Sequence, residues 1–346
     1  MLMTLGTPPS EAETDAWHDV IAAAHLQDVP ASVPEPGRTE TAGKLRVESP
    51  NGRMLHLVWA APDGSYDGVA TLLLFTEESN RHTAFLDALV VRPEARRRGV
   101  GGQLWGAIRA ELTADGRSSV STMLELGGAG EAFVDGLGFS KVLPLAWYVQ
   151  RVREAHAELP QPRLPDGYRF ADWEGVVPDA LADEFARAHD VMRDAPSGGV
   201  DEQTPSWDAE RVRGAARLID DRGGIILTSV VLAEADGTGT GAADSAGGTG
   251  GAGTGVGSVA AYTELVLRDP SHTRALQYDT VVVPEHRGRG LGRAVKRRLL
   301  STLTERHPGV REISTSVADD NAPMLAVNAA LGYRRERPAG IFQAKL

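Results

Sequence analysis

The chain has 346 residues, a length that favours two domains over one. With no cysteine, disulfides, a thiolate nucleophile and a cysteine-ligated zinc site are excluded. The formal net charge is −11 and no domain-sized stretch is basic, which argues against nucleic acid as a partner. No run of 18 apolar residues is present, so no membrane span is expected. The N-terminus lacks a basic region followed by an apolar core, so the expectation is a cytoplasmic protein, monomer or homodimer.

In chain order, residues 1–43 are rich in Pro, Glu and Thr and read as a partly flexible segment with one helix over Ala12–Leu26. A first domain is expected over 44–155. Its strands are Met54–Ala60, Val69–Phe75, Thr83–Val91, Val120–Leu124 and Lys141–Val149, with helices after Arg96 and over Gly130–Leu137. Residues 156–166, with Leu159-Pro-Gln-Pro-Arg-Leu-Pro165, read as a stiff linker. A second domain is expected over 167–346. It opens with a strand at Tyr168–Trp173 and helices over Leu181–Asp194 and Trp207–Asp221. Strands Ile225–Ala233 and Val259–Leu267 follow, joined by residues 236–257, where 10 of 22 residues are Gly. That stretch cannot pack a core and reads as an overgrown hairpin loop. Strand Leu276–Val283, helix Ala294–Thr304, strand Ile313–Val317, helix Ala322–Leu331 and final strands from Tyr333 complete the chain.

One stretch occurs twice. Val90-Val-Arg-Pro-Glu-Ala-Arg-Arg-Arg-Gly-Val-Gly101 matches Val281-Val-Val-Pro-Glu-His-Arg-Gly-Arg-Gly-Leu-Gly292 at eight of twelve positions. Each copy is a β-branched strand, a Pro stop, a basic glycine-rich turn and a helix start. Glycine lets backbone approach a ligand, and the N–H groups of a helix N-terminus attract anions. The expected ligand is a phosphate or pyrophosphate. Neither a dinucleotide-binding G-x-G-x-x-G nor a P-loop ending in Gly-Lys-Ser/Thr is present. A repeat of this size implies two copies of one domain.

The spacing Arg96-x-x-Gly99-x-Gly101 and Arg287-x-x-Gly290-x-Gly292, with the later Asn321, Asn328 and Leu331-Gly-Tyr333, resembles the GNAT superfamily of N-acetyltransferases in its tandem, two-domain form. The resemblance implies an α/β (α+β) fold of two tandem units, each a mixed, mostly antiparallel central sheet flanked by helices. It implies acetyl-CoA as co-substrate, a small-molecule amine as acceptor, and direct acyl transfer without a covalent enzyme intermediate. The pyrophosphate would lie on the backbone of Arg287, Gly288, Arg289, Gly290, Leu291 and Gly292, and main-chain groups of Val281 and Val283 would pair with the pantetheine arm. Asn321 and Asn328 would add polar contacts, although Asn321 also reads as a helix cap. In the first copy the counterparts are Val91, Arg96, Arg97, Arg98, Gly99, Val100 and Gly101, in a unit expected to be degenerate.

Many members of that family place a tyrosine acid where this chain has Asn328 in the second half and Val134 in the first. Tyr333 or a water could substitute for it. The expected base is Glu264, a carboxylate in the otherwise apolar strand segment Ala260–Leu265, where burial would raise its pKa; strand alternation could equally turn it outward to water. Tyr262 and Asp279 are the runners-up for the base, and His286 reads as a surface residue beside the phosphate. No histidine pair has metal-ligand spacing, so no metal is expected. The alternative class is a coenzyme A-binding sensor or scaffold without turnover, which the missing tyrosine favours.

Overall fold

The computed structural model describes residues 1–158, 161–194, 198–234 and 257–346. All of the described strands join one twelve-stranded sheet. The first half supplies β1 (Leu2–Thr4), β2 (Gly52–Ala60), β3 (Tyr66–Phe75), β4 (Ala84–Val91), β5 (Ser119–Glu125) and β6 (Ser140–Arg151). The second supplies β7 (Tyr168–Glu174), β8 (Ile225–Ala233), β9 (Ser258–Leu267), β10 (Arg274–Val282), β11 (Glu312–Ala318) and β12 (Arg334–Lys345). The helices are α1 (Glu11–Asp28), α2 (Arg38–Arg46), α3 (Val100–Ala114), α4 (Ala129–Gly136), α5 (Val152–Glu158), α6 (Ala182–Asp190), α7 (Ala209–Asp221), α8 (Leu291–Arg306) and α9 (Ala322–Ala330).

The strand order is β1-β2-β3-β4-β5-β12-β6-β11-β10-β9-β8-β7. The two halves therefore exchange their closing strands. β12 pairs antiparallel with β5, so the last strand of the chain closes the first half's sheet. β6 pairs antiparallel with β11 and closes the second half's. β6 and β12 pair with each other at the centre, from Arg334↔Val149 to Gln343↔Ser140. The exchange leaves no unpaired edge between the halves. It also mixes the cores: Phe342 and Ala344 of β12 pack with Leu72, Leu104, Ile108 and Val120 of the first half.

Residues 1–46 hold a strand and two helices, more order than the sequence suggested. Ser10 and Glu13 form a reciprocal cap that starts α1. Trp17, Val20 and Leu45 are buried against Val58, Tyr66 and Val69. Within the expected linker, residues 156–158 end α5 and residues 161–165 have no regular structure. The glycine-rich stretch 236–257 lies outside the described residues except for Gly257. Among the described residues, no helix is long and apolar enough to cross a membrane.

Strand exchange predicts that damage to β12 is felt in the first half. Phe342→Ala, at a site only 2% exposed, should cost about 3–5 kcal/mol and lower the whole chain's melting temperature in a single transition. Calorimetry resolving two transitions, with only the second shifted, would contradict the shared core.

Candidate active site

The repeated motif folds the same way twice. Each copy has a 3-10 turn at its proline, Pro93–Ala95 or Pro284–His286. Each then has an extended arginine whose Nε donates to a strand carbonyl: Arg96 to Val91 O (3.0 Å) and Arg287 to Val282 O (3.2 Å). Each helix is capped by a left-handed glycine, Gly99 at φ 87° and Gly290 at φ 75°. A β-carbon would be strained at either place. Among the described residues, the backbone N–H groups of residues 288–293 have no protein acceptor. They form the open N-terminus of α8, which is suited to an anion.

The surroundings of the two copies differ. Arg96 is tied to Asp28 by two hydrogen bonds of 2.7 and 2.6 Å. Arg97 stands at φ 62°, where the second copy has Gly288. Arg287 has no carboxylate partner among the described residues. Tyr168 steadies the second loop: its hydroxyl accepts from Arg289 Nη1 (2.7 Å) and contacts His286 Nδ1 (2.9 Å). His286 is thus a support for the loop. The buried Leu291 packs with Val295, Ala260 and Ala261 and anchors the start of α8.

Beside this loop the sheet opens. β10 pairs in parallel with β11 only at Arg274, Ala275 and Leu276, and the register of β10 against β9 jumps between Gln277 and Thr280. Past that bulge, β10 has one edge on β9 and the other free of β11. Val283 N–H donates to Ala260 O (3.0 Å), so it is spent on β9. By the two-residue period of the ladder Val281 turns the same way, and the backbone of Thr280 and Val282 faces the gap. The main-chain groups of Val281 and Val283, expected to face the pantetheine arm, are thus turned to β9, and those open to the gap are their neighbours'. The side chains of Val281 and Val283 pack against the α6–α7 side. The first half has the same opening: β4 meets β5 at the single pair Phe85↔Ser121.

A cleft of about 1100 Å³ lies between the halves, on the α6–α7 face of this gap. Lys44 and Asp87 of the first half line it with Trp207, Tyr278, Glu264 and Asp279 of the second. Glu264 points into it and is only 7% exposed. Its carboxylate lies 3.5 Å from the Thr228 hydroxyl and 3.9 Å from His189 Nε2. Burial, and then the charge of Asp279, push Glu264 up to about 8. Burial also raises Asp279 to about 6 and holds His189 down to about 3. His189 stacks on Tyr262 at 4.4 Å, and neither of its ring nitrogens has a partner among the described residues. The ligand atoms of His189, Glu264 and Asp279 all lie within 4.8 Å of one another, so these are the residues that could hold a cation, where the sequence led us to expect no metal. The sequence reading missed His189: one histidine on a helix carries no spacing signal.

The opposite face of the gap is formed by α8 and α9. Asn321 caps α9, accepting from Met324 N–H at 3.2 Å. Tyr333 is buried, its hydroxyl donates to Gln277 Oε1 (3.3 Å), and burial raises its pKa above that of an ordinary phenol. The sequence offered Tyr333, or a water, as a substitute acid; in the structure the hydroxyl proton is engaged by Gln277. Asn328 Oδ1 accepts from Lys296 Nζ at 2.7 Å, so Asn328 is held by a residue the sequence reading did not single out.

A family model described as the acetyltransferase (GNAT) family matches residues 20–126 and 208–333, well over half of the chain. The chain belongs to the GNAT acetyltransferase family. Its two units stand in tandem. It is 29% identical over 254 residues to a mycothiol acetyltransferase of Nocardioides sp., covering 71% of this chain and 75% of that one. Its fold is similar to a tandem GNAT protein from the clavulanic acid biosynthesis pathway, with a TM-score of 0.79 at 24% identity over 100% of this chain and 98% of that one. A GNAT N-acetyltransferase from Sphaerobacter thermophilus also aligns, with a TM-score of 0.66 at 16% identity over 99% and 95%.

GNAT acetyltransferases use acetyl-CoA, and the second half fits that group on three observations. Its helix N-terminus is open, a β-carbon at Gly288 or Gly290 would meet nothing within 4 Å, so the loop backbone is uncovered, and the strand edge beside the loop is unpaired. Gly290→Glu should weaken acetyl-CoA binding by roughly tenfold or more, since it adds both a strained residue and a negative charge. The matching Gly99→Glu should leave that site intact. Calorimetric titration reads both; equal losses in the two variants would contradict the assignment to the second loop.

Proposed function

We propose that this chain transfers an acetyl group from acetyl-CoA directly to a primary amine of a small molecule held in the cleft between the two units. The observation carrying this reading is the place of Glu264: a buried carboxylate at the inner end of the cleft, across the β10–β11 gap from the open loop. Bound acetyl-CoA would supply the acetyl group as a thioester. The N–H groups of residues 288–293 would hold its phosphates, and the free edge at Thr280 and Val282 would align the pantetheine arm. Glu264 would take the proton the amine loses. Seven carboxylates against four cations line the cleft, and that excess of negative charge favours a cationic amine.

The mycothiol acetyltransferase relative favours, as a second reading, an acceptor of the kind that protein uses. Amine acceptors of both kinds can be compared in one panel that follows thiol release.

The base must be ionised to act, so its raised pKa sets the direction of the pH response. With Glu264 titrating at about 8, the rate should be low near pH 6, rise through pH 8 and level off above it. Glu264→Gln should lower the rate by about 10²–10⁴-fold while keeping acetyl-CoA affinity. A sensor would bind coenzyme A and release no thiol with any amine. A rate unchanged by Glu264→Gln would place the base elsewhere.

A further inference from the structure

His189 sits on α6 and is 4% exposed, yet neither of its ring nitrogens has a protein partner among the described residues. Its ring is held between Tyr262, at 4.4 Å, and Trp207, at 4.6 Å between ring centres. Nε2 lies 3.9 Å from Glu264 Oε2, and one atom each of His189, Glu264 and Asp279 lies within 4.8 Å of the other two. All three residues line the cleft. Among the described residues, the Thr228 hydroxyl at 3.5 Å from Glu264 is the one donor that reaches them. The cleft's cations are engaged elsewhere. Lys44 and Arg268 pair with Glu40, Arg211 pairs with Glu77, and Arg222 donates to Val47 O.

Three acceptors on one wall, almost without donors, are unfavourable until a guest supplies donors or charge. Two kinds of guest fit that description, a metal ion and an ammonium, and spacing separates them. A tetrahedral zinc ion holds its ligand atoms about 2.1 Å away, hence roughly 3.4 Å from one another. A tetrahedral ammonium holds acceptors about 2.8 Å from its nitrogen, hence roughly 4.6 Å apart. His189 and Glu264 already stand further apart than the first spacing, and the 4.8 Å limit takes in the second. A histidine that holds a metal also donates its other nitrogen to a fixed partner, and His189 Nδ1 has none among the described residues.

We propose that His189, Glu264 and Asp279 form a three-point seat for the acceptor's ammonium, one N–H to each, and that His189 and Asp279 thereby select primary amines. The proposal rests on the acetyl-transfer reading above and deepens it, naming the residues that seat the amine before Glu264 takes its proton. A primary ammonium carries three N–H donors, a secondary two, a tertiary one and a quaternary none. The charge is the same along that series. A wall that recognised only charge and aromatic contact would not rank the series downward; a three-point seat does.

The test uses methyl-, dimethyl-, trimethyl- and tetramethylammonium, and needs no knowledge of the natural acceptor. Each is titrated into the full chain while the indole N–H signal of Trp207, beside His189 in the cleft, is followed by NMR. At about pH 9 Glu264, which titrates at about 8, is mostly ionised, His189 is neutral and the alkylammonium ions keep their proton. Affinity should fall with each N–H lost, and methylammonium should bind roughly tenfold or more tightly than tetramethylammonium. His189→Leu and Asp279→Ala should each reduce that ratio severalfold. His189→Gln, whose amide oxygen can accept, should keep most of it. Equal or rising affinity along the wild-type series, a ratio unchanged in His189→Leu, or no response to any of the ions overturns the proposal. Acetyl-CoA titrated into the same wild-type sample separates the two failures. A chain that binds acetyl-CoA but fails the series keeps the acetyl-transfer reading alone, and one that does not bind it overturns both.

Discussion

The second unit is organised around the place where β10 stops pairing with β11. Parallel strands bond along their whole length unless something parts them, and here the bulge at residues 278 and 279 does so. Three consequences follow from that one irregularity. It frees a strand edge beside an open helix N-terminus. It brings Asp279 next to Glu264 on one face. It also brings Gln277 under Tyr333 on the other. The gap thus lies between the cleft and the α8–α9 side.

Strand exchange makes such a gap tolerable. β11 loses β10 for most of its length but gains β6 over seven residue pairs on its other edge. The parted strands remain fixed because each is paired elsewhere. The same exchange ties the two units into one body and forms the cleft between them. Arg211 of α7 bonds Glu77 of the first half (3.0 Å), and Arg46 and Arg222 donate to carbonyls across the cleft, at Asp221 and Val47.

Much of this was legible in the sequence. The repeated Arg-x-x-Gly-x-Gly turn, its strand and its helix have the expected form because their signals are local: a proline stop, a left-handed glycine, a run of β-branched residues. Glu264 stood out as a charge in an apolar strand, and the structure buries it in the cleft. What was hidden depends on distant partners. β6 and β12 look alike as closing strands, and nothing local says that each crosses to the other half. Lys296 reads as an ordinary cation on a polar-faced helix until α9 covers it. Tyr333 passes for an accessible phenol until α8 covers it. Most of α2 lies in the segment 1–43 that reads as partly flexible, and its order comes from Leu45 packing beside Trp17.

The most direct measurement is hydrogen exchange of the backbone amides with and without acetyl-CoA. Slowed exchange at Thr280, Val282 and residues 288–293 is predicted, because these are the N–H groups that the gap and the open helix end leave without protein acceptors. Exchange unchanged there, with any protection confined to the first loop at residues 96–101, would contradict the placing of cofactor and chemistry in the second unit.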